Sequence, residues 1–193
     1  DKNSVLKTLN SSLLTDGPIL RKFEEAFAKF TGTEYAIGVS NATSALHLSL
    51  KAIGLKKGDE VIVPTMSFIA TAEVVSQIGA TPVFVDIDEY HTIDIPSVQD
   101  AITEQTRAII FVDLYGQTVD IDQLKSIAGT IPLIEDAAQA SGCRYRNQPV
   151  GNLVDLTCFS ITGSGLTSFL ITGSDSVSFS ITGLDSTSFS IKN

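Results

Sequence analysis

Three short stretches of the chain carry side chains whose types and spacing fit chemistry. The first is Ile131 to Gln139, IPLIEDAAQ, an apolar run that ends abruptly in Glu135, Asp136 and then Gln139. A buried strand that delivers polar groups from its carboxyl end is how α/β proteins build sites. A carboxylate buried there is costly unless it meets a cationic partner; otherwise Asp136 reads as a backbone-capping group. The second stretch is Ser40 to His47, SNATSALH, where a strand gives way to a helix. Free N–H groups and the helix dipole favour an anion such as phosphate at such a point, and the hydroxyls of Thr43 and Ser44 add hydrogen bonds. An ordinary capped helix is the plain alternative, and His47 reads as packed or solvated rather than as a ligand. The third is Pro64 to Thr71, PTMSFIAT, again at a strand end. Phe68 there is either a core residue or an aromatic surface on which a planar ring can stack. Neither a GxGxxG nor a GxxxxGK[ST] pattern occurs, so dinucleotide and nucleoside-triphosphate readings lose support.

The elements that must position these residues alternate. Leu20, Phe23, Phe27 and Phe30 recur at helical spacing between Asp16-Gly17-Pro18 and Gly32. Tyr35 to Val39 predicts a strand and Thr43 to Ile53 a helix closed by Gly54. Val61 to Pro64, then Ala70 to Ile78, then Pro82 to Val85 repeat the alternation. Ser97 to Ile102 predicts a short helix and Ala108 to Val112 a fourth strand. Asp120 can cap a helix with the face Ile121, Leu124 and Ile127, and Leu133 to Asp136 is the strand that opens this section. Ser141 to Asn152 reads as a loop or small hairpin, and Leu153 to Ser160 as a further strand. Alternation at this pitch predicts parallel βαβ units, with Asp136 and Gln139 in mid-sheet.

From Phe159 the sequence changes character and repeats with period ten: FSITGSGLTS, FLITGSDSVS, FSITGLDSTS, FSIKN. Phe159, Phe169, Phe179 and Phe189 stand in register, with Gly163, Gly173 and Gly183 at the turns. Alternating apolar and Ser/Thr residues predict short strands, and a β-meander or a stacked coil satisfies the pattern equally. Near-identity of the copies points to recent duplication, a frameshift or an artificial origin. The expected organisation is therefore an α/β unit over 1–160 and a β-repeat tail over 161–193.

At 193 residues, 43% apolar content and a mean hydropathy of +0.22 exclude a mainly disordered chain. Thirteen basic against 22 acidic residues give a net charge of −9, which argues against nucleic acid or an anionic membrane as the main partner. Cys143 and Cys158 lack metal-ligand spacing and form no disulfide framework, so no metal site and a reduced, cytoplasmic setting are the expectation. No leader or bilayer-spanning run is apparent, and the chain starts inside folded-looking sequence.

In this order and spacing the motifs resemble the DegT/DnrJ/EryC1/StrS family, nucleotide-sugar aminotransferases of fold type I that use pyridoxal 5′-phosphate. The resemblance runs from about Thr15 to Ser160, through TDGPILRKFEEAFAKFTGTEYAIGVSNATSALHLSL, GDEVIVPTMSFIATAEVVSQIGATPVFVDID, LYGQTVDID and IEDAAQASGCRYRNQPVG. It implies a three-layer α/β/α fold with a mostly parallel sheet, the large-domain type of these enzymes. It also implies roles. Thr43, Ser44 and Ser160 match positions that bind the cofactor phosphate, Phe68 the aromatic stacked on the pyridine ring, Asp136 the carboxylate paired with the ring nitrogen, and Gln139 a residue near the ring oxygen. The family moves an amino group, usually from glutamate, onto a nucleotide-linked keto sugar, and its members are dimers. Its Schiff-base lysine lies five residues beyond the matched serine, a place held here by Gly165. No lysine occurs between Lys125 and Lys192. Related sugar 3-dehydratases carry histidine there, but Gly165 cannot act as a base either. Asp113 stands where the family commonly has a histidine before Leu-Tyr-Gly, and the smaller C-terminal domain is missing. The expectation is a chain that binds the cofactor non-covalently at most, with Lys192 the one tail lysine. A non-enzymatic, self-associating protein that uses the repeat tail on an α/β scaffold is the alternative.

Overall fold

The computed structural model describes residues 2–14, 17–163, 166–173, 178–181 and 189–192, with side chains described as far as Ile161. Thr15, Asp16, Ser164 and Gly165 lie outside the described residues, as do the side chains of Phe169 and Lys192.

Glycine and proline punctuate the helices. Pro18 sits in the first turn of α2, Pro18–Thr31, which Gly32 closes at φ 76°. The strand β1, Tyr35–Val39, leads into α3, Ala42–Ala52, whose cap Asn41 accepts the Ser44 N–H on its side chain. Next come β2, Glu60–Pro64, and α4, Ala70–Ile78, stopped by Gly79 at φ 89°, then β3, Thr81–Val85. α5, Ile95–Ala101, is capped by Asp94; β4, Thr106–Val112, runs into a 3-10 turn at Leu114–Gly116; α6, Ile121–Ala128, is capped by Asp120. β5, Leu133–Asp136, ends the parallel series, and β6, Arg144–Tyr145, with β7, Gln148–Pro149, forms the small hairpin. The helix that precedes them all, α1, Lys2–Leu9, has no buried residue, so no core pattern announces it in the sequence.

β8 covers Leu156–Gly163 and so crosses the 160/161 boundary without a break. β9, Leu166–Gly173, turns back antiparallel along all of β8, and its other edge pairs antiparallel with β1. The seven-stranded sheet has the order β1-β9-β8-β5-β4-β2-β3, with β8, β5, β4, β2 and β3 mutually parallel. β5 is the middle strand. Among the described residues, β10, Ser178–Ile181, and β11, Phe189–Lys192, pair with each other and with no other strand.

Period-two alternation along the strands divides the core between the two faces. Val61, Val63, Ile110, Ile134, Leu156 and Cys158 pack on Ala45, Leu46 and Leu50 of α3 and Val74 and Val75 of α4. Ile62, Ile109, Phe111, Leu133 and Phe159 face the other way, onto α2, α5 and α6. Phe27 of α2 meets Phe159 edge-on with ring centroids 5.1 Å apart. These two layers around one sheet are the three-layer architecture that the family resemblance implies.

Candidate functional site

Because successive strand residues point to opposite faces, the adjacent carboxylates at the end of β5 part company. Asp136 joins the α3/α4 face, where its Oδ2 accepts from the Thr71 hydroxyl at 3.2 Å and its Oδ1 from the Ala138 N–H at 3.3 Å. Burial pushes its carboxyl up, and these two hydrogen bonds oppose the rise. A buried carboxylate so placed favours a positive neighbour, which offsets its desolvation. Thr71 also shares a 2.7 Å hydrogen bond with Ser67, which fixes the first turn of α4 against β5. Phe68 leaves that turn with 72% of its surface exposed. A large apolar ring so open at the carboxyl edge of the sheet is available for stacking, not spent on the core.

Ser160 sits on the same face. Asp136 is level with Cys158 on β8, and Ser160 is the next residue of that parity toward the strand's carboxyl end. The face is fixed independently by Ser49 of α3, whose Oγ lies 3.4 Å from Cys158 Sγ; burial pushes that thiol's pKa up. Across the sheet, Ser160 pairs with Phe169 of β9 and Phe169 with Val39 of β1, so one backbone row joins Ser160 to the strand that delivers Ser40. At the start of α3, Ser40 Oγ and Ser44 Oγ lie 3.0 Å apart, and a cleft of about 520 Å³ opens beside Ser40, Thr43, Ser44, His47 and Gln77. Burial, then the Lys51 charge, lowers the His47 pKa against a hydrogen bond with Gln77, which disfavours the cationic ring.

Gln139 is exposed, and its Oε1 accepts the Tyr115 N–H at 2.7 Å. That bond pins Tyr115, a non-glycine residue at φ 57° whose side chain is 74% exposed at the rim. Gln139 thus shapes the rim through Tyr115, a contact that no local pattern in the sequence announces.

Beneath the sheet, on the α2/α6 face, lies a second acidic feature. Glu135 and Asp113 are fully buried, and Asp113 Oδ1 and Oδ2 and Glu135 Oε1 have no hydrogen-bond donor of good geometry. Burial, then the Glu135 charge, pushes Asp113 well above the usual carboxylate range. Burial pushes Glu135 up to about 7, against hydrogen bonds from the Thr157 hydroxyl, at 2.8 Å, and from the Gly151 backbone. Two close buried carboxyls cannot both ionise cheaply, so the pair retains a proton at neutral pH. Sequence reasoning missed this pair, and it missed Thr71 and Ser67. Thr71 follows Phe68 by three residues, one helical turn, which is the signal that could have found it.

The sequence profile of the DegT/DnrJ/EryC1/StrS aminotransferase family matches residues 1–165. The chain belongs to this family. GDP-perosamine synthase of Escherichia coli O157:H7 is 40% identical over 168 residues, which span 85% of this chain and 46% of that protein. Among solved structures, a putative sugar aminotransferase from Streptococcus pneumoniae in its PLP form superposes with a TM-score of 0.85 at 32% identity, over 90% of this chain and 50% of that one. GDP-4-keto-6-deoxymannose-3-dehydratase with a trapped PLP-glutamate geminal diamine gives 0.84 at 32% identity, over 91% and 49%. The five parallel strands match the large domain of the PLP aminotransferases in the family. The chain spans about half the length of these relatives. Among the described residues, no helix is long and apolar enough to cross a membrane.

Proposed function

We propose that this chain is the cofactor-cradling part of a sugar aminotransferase and that it binds pyridoxal 5′-phosphate without covalent attachment. The observation that carries this reading is Asp136, a buried carboxylate at the end of the central strand, fixed by Thr71 and Ala138 beside the exposed ring of Phe68. These residues fit the group. Asp136 would hold a proton on the ring nitrogen, Phe68 would cover one ring face and exclude water there, and Gln139, whose Oε1 takes the Tyr115 N–H, would offer its NH2 group to the ring oxygen. Thr43, Ser44 and Ser160 would take the phosphate with their hydroxyls, joined by the N–H groups of Ala42 and Thr43 at the start of α3, the Ser44 N–H being given to Asn41. When bound, the cofactor supplies a protonated ring that withdraws electrons from a substrate carbon.

Turnover needs in addition an amine or base five residues beyond Ser160. Gly165 has neither, and no lysine lies between Lys125 and Lys192. The chain therefore binds and orients the cofactor and does not transfer amino groups by itself. A nucleotide-linked keto sugar and glutamate are the substrates, and a cytoplasmic homodimer the form, of the complete protein to which this part corresponds.

Titration with pyridoxal 5′-phosphate, followed by absorbance, tests the reading. Asp136→Asn keeps an acceptor for Thr71 but removes the charge, and it is expected to weaken binding at least tenfold. Equal affinities for the two proteins would overturn the assignment.

A further inference from the structure

Two hydroxyls in series lead outward from the buried carboxyl of Asp136. Ser67 Oγ lies 2.7 Å from Thr71 Oγ1, and Thr71 Oγ1 lies 3.2 Å from Asp136 Oδ2. Thr71 and Asp136 are buried, whereas Ser67 is half-buried, in the bend that joins β2 to α4. The chemistry of these groups gives the row a direction. A hydroxyl has one proton to donate, and an ionised carboxylate only accepts. When Thr71 donates to Asp136, the donor in its bond with Ser67 has to be Ser67. The row then runs from Ser67 through Thr71 to the charge, each donor polarising the next. With Asp136 protonated the order can reverse, so that the carboxyl donates to Thr71 and Thr71 to Ser67.

Ser67 matters to this row because Thr71 has another use for its proton. A threonine on a helix readily turns its hydroxyl to a carbonyl one turn back. The Ser67 proton holds the Thr71 oxygen at Asp136 instead, and a donor to the charged form stabilises that form. We propose that Ser67 is a positioning residue of the site: it acts through Thr71 to hold Asp136 as the anion that a protonated ring nitrogen requires. The hold on Asp136 stands on the three side chains alone; its value to the cofactor rests on the function proposed above. The surrounding titratable groups are no part of the row. Cys158, level with Asp136 on β8, keeps a neutral thiol through burial. Glu135, within β5, and Asp113, just past β4, lie on the other face and hold a proton between them. Of the helices packed above, α4 carries Glu73, which is exposed, and α3 carries His47, on the Ser40 cleft, and Lys51, which is exposed. Substitution at Ser67 alters none of these charges.

The carboxyl-carbon chemical shift of Asp136, followed against pH in the full chain without cofactor, tests the proposal. Ser67→Ala is expected to raise the titration midpoint by about 0.5 or more, roughly threefold in proton affinity. Ser67→Thr keeps the hydroxyl and is expected to match the wild type. In a Thr71→Val background, Ser67→Ala is expected to add nothing, because the row is already cut. An unmoved midpoint in Ser67→Ala overturns the proposal. So does a rise that Ser67→Thr shares, or one that persists in the Thr71→Val background, since each marks a general effect of the loop. Pyridoxal 5′-phosphate, titrated by absorbance across the same pH range, reads the site separately. The pH at which its affinity falls away in acid is expected to move up in Ser67→Ala by the same interval as the Asp136 midpoint. A fall-off that stays in place while the midpoint moves overturns the link to the cofactor. No binding by the wild type at any pH, with the carbon shifts as expected, refutes the cofactor reading and leaves the hold of Ser67 on Asp136 intact.

Discussion

Replacing Glu135 with glutamine should make the protein more stable at alkaline pH and change its stability least in mild acid. Glu135 is fully buried, and its carboxyl rises from an ordinary 4.5 to about 7, chiefly through burial. Between those values the folded chain keeps a proton that the unfolded chain has released. Stability therefore falls as pH rises through this window, and the whole loss is present above pH 7. At about 1.4 kcal/mol for each tenfold change in proton affinity, the loss is about 3 kcal/mol. In Glu135→Gln the carbonyl oxygen can still accept from Thr157, now 2.8 Å from Oε2, and the new amide donor faces the unsatisfied Asp113 oxygens. Urea unfolding followed by far-ultraviolet circular dichroism at pH 5, 6, 7 and 8 measures the effect. The two proteins should differ least at pH 5, near the lower end of the window, and diverge to about 3 kcal/mol at pH 8, the variant being the more stable. Parallel stability curves over that range would refute the shared-proton account of Glu135 and Asp113.

Two further substitutions probe the supports of the site. Thr71→Val removes the hydroxyl that donates to Asp136 Oδ2; it should cost about 1–3 kcal/mol by urea unfolding and raise the Asp136 pKa further, read from its side-chain carbon shift, and an unshifted titration would break the proposed link. Gly151 sits at φ 115°, where an added Cβ would lie 3.0 Å from Phe159 Cζ and from Thr31 Cβ and Cγ2. Gly151→Ala should cost about 1–3 kcal/mol in the same assay, and a neutral result would show that the Phe159 corner yields.

Much of this architecture is legible where burial imposes a period. α4 occupies Ala70–Ile78, as the apolar spacing and Gly79 predict, and β5 lies mid-sheet with Asp136 at its end. α1 escapes the same logic because it buries nothing. The extra reach of β8 to Gly163 is hidden by the repeat, whose alternation fits a strand of the parent sheet and a separate meander alike. Of the candidate site residues, Asp136 ends β5 and Phe68 shortly precedes α4, as spacing alone suggests, whereas Ser160 lies inside β8 and not at its end. What spacing withholds is pairing at long range. Thr71 meets Asp136 from another βαβ unit, Gln139 turns to Tyr115, and Glu135 finds Asp113 only because two strands run level. Each depends on strand order and phase, which one sequence does not encode locally.

The antiparallel join of β1 to β9 also orders events in time. β1 leaves the ribosome before the other strands of this sheet, yet its partner for Tyr35 is Gly173. At about 5–20 residues per second, synthesis of the intervening chain takes on the order of ten seconds. During that interval the parallel strands from β2 to β8 can assemble, while β1 packs on α2 and α3 with its ladder toward β9 still unmade. A contact closed over so much chain is slow to form and first to be exposed when folding falters. The edge that carries Ser40 to Ser44 is thus the last part of the sheet to be secured, and nascent chains halted before residue 173 would display it open.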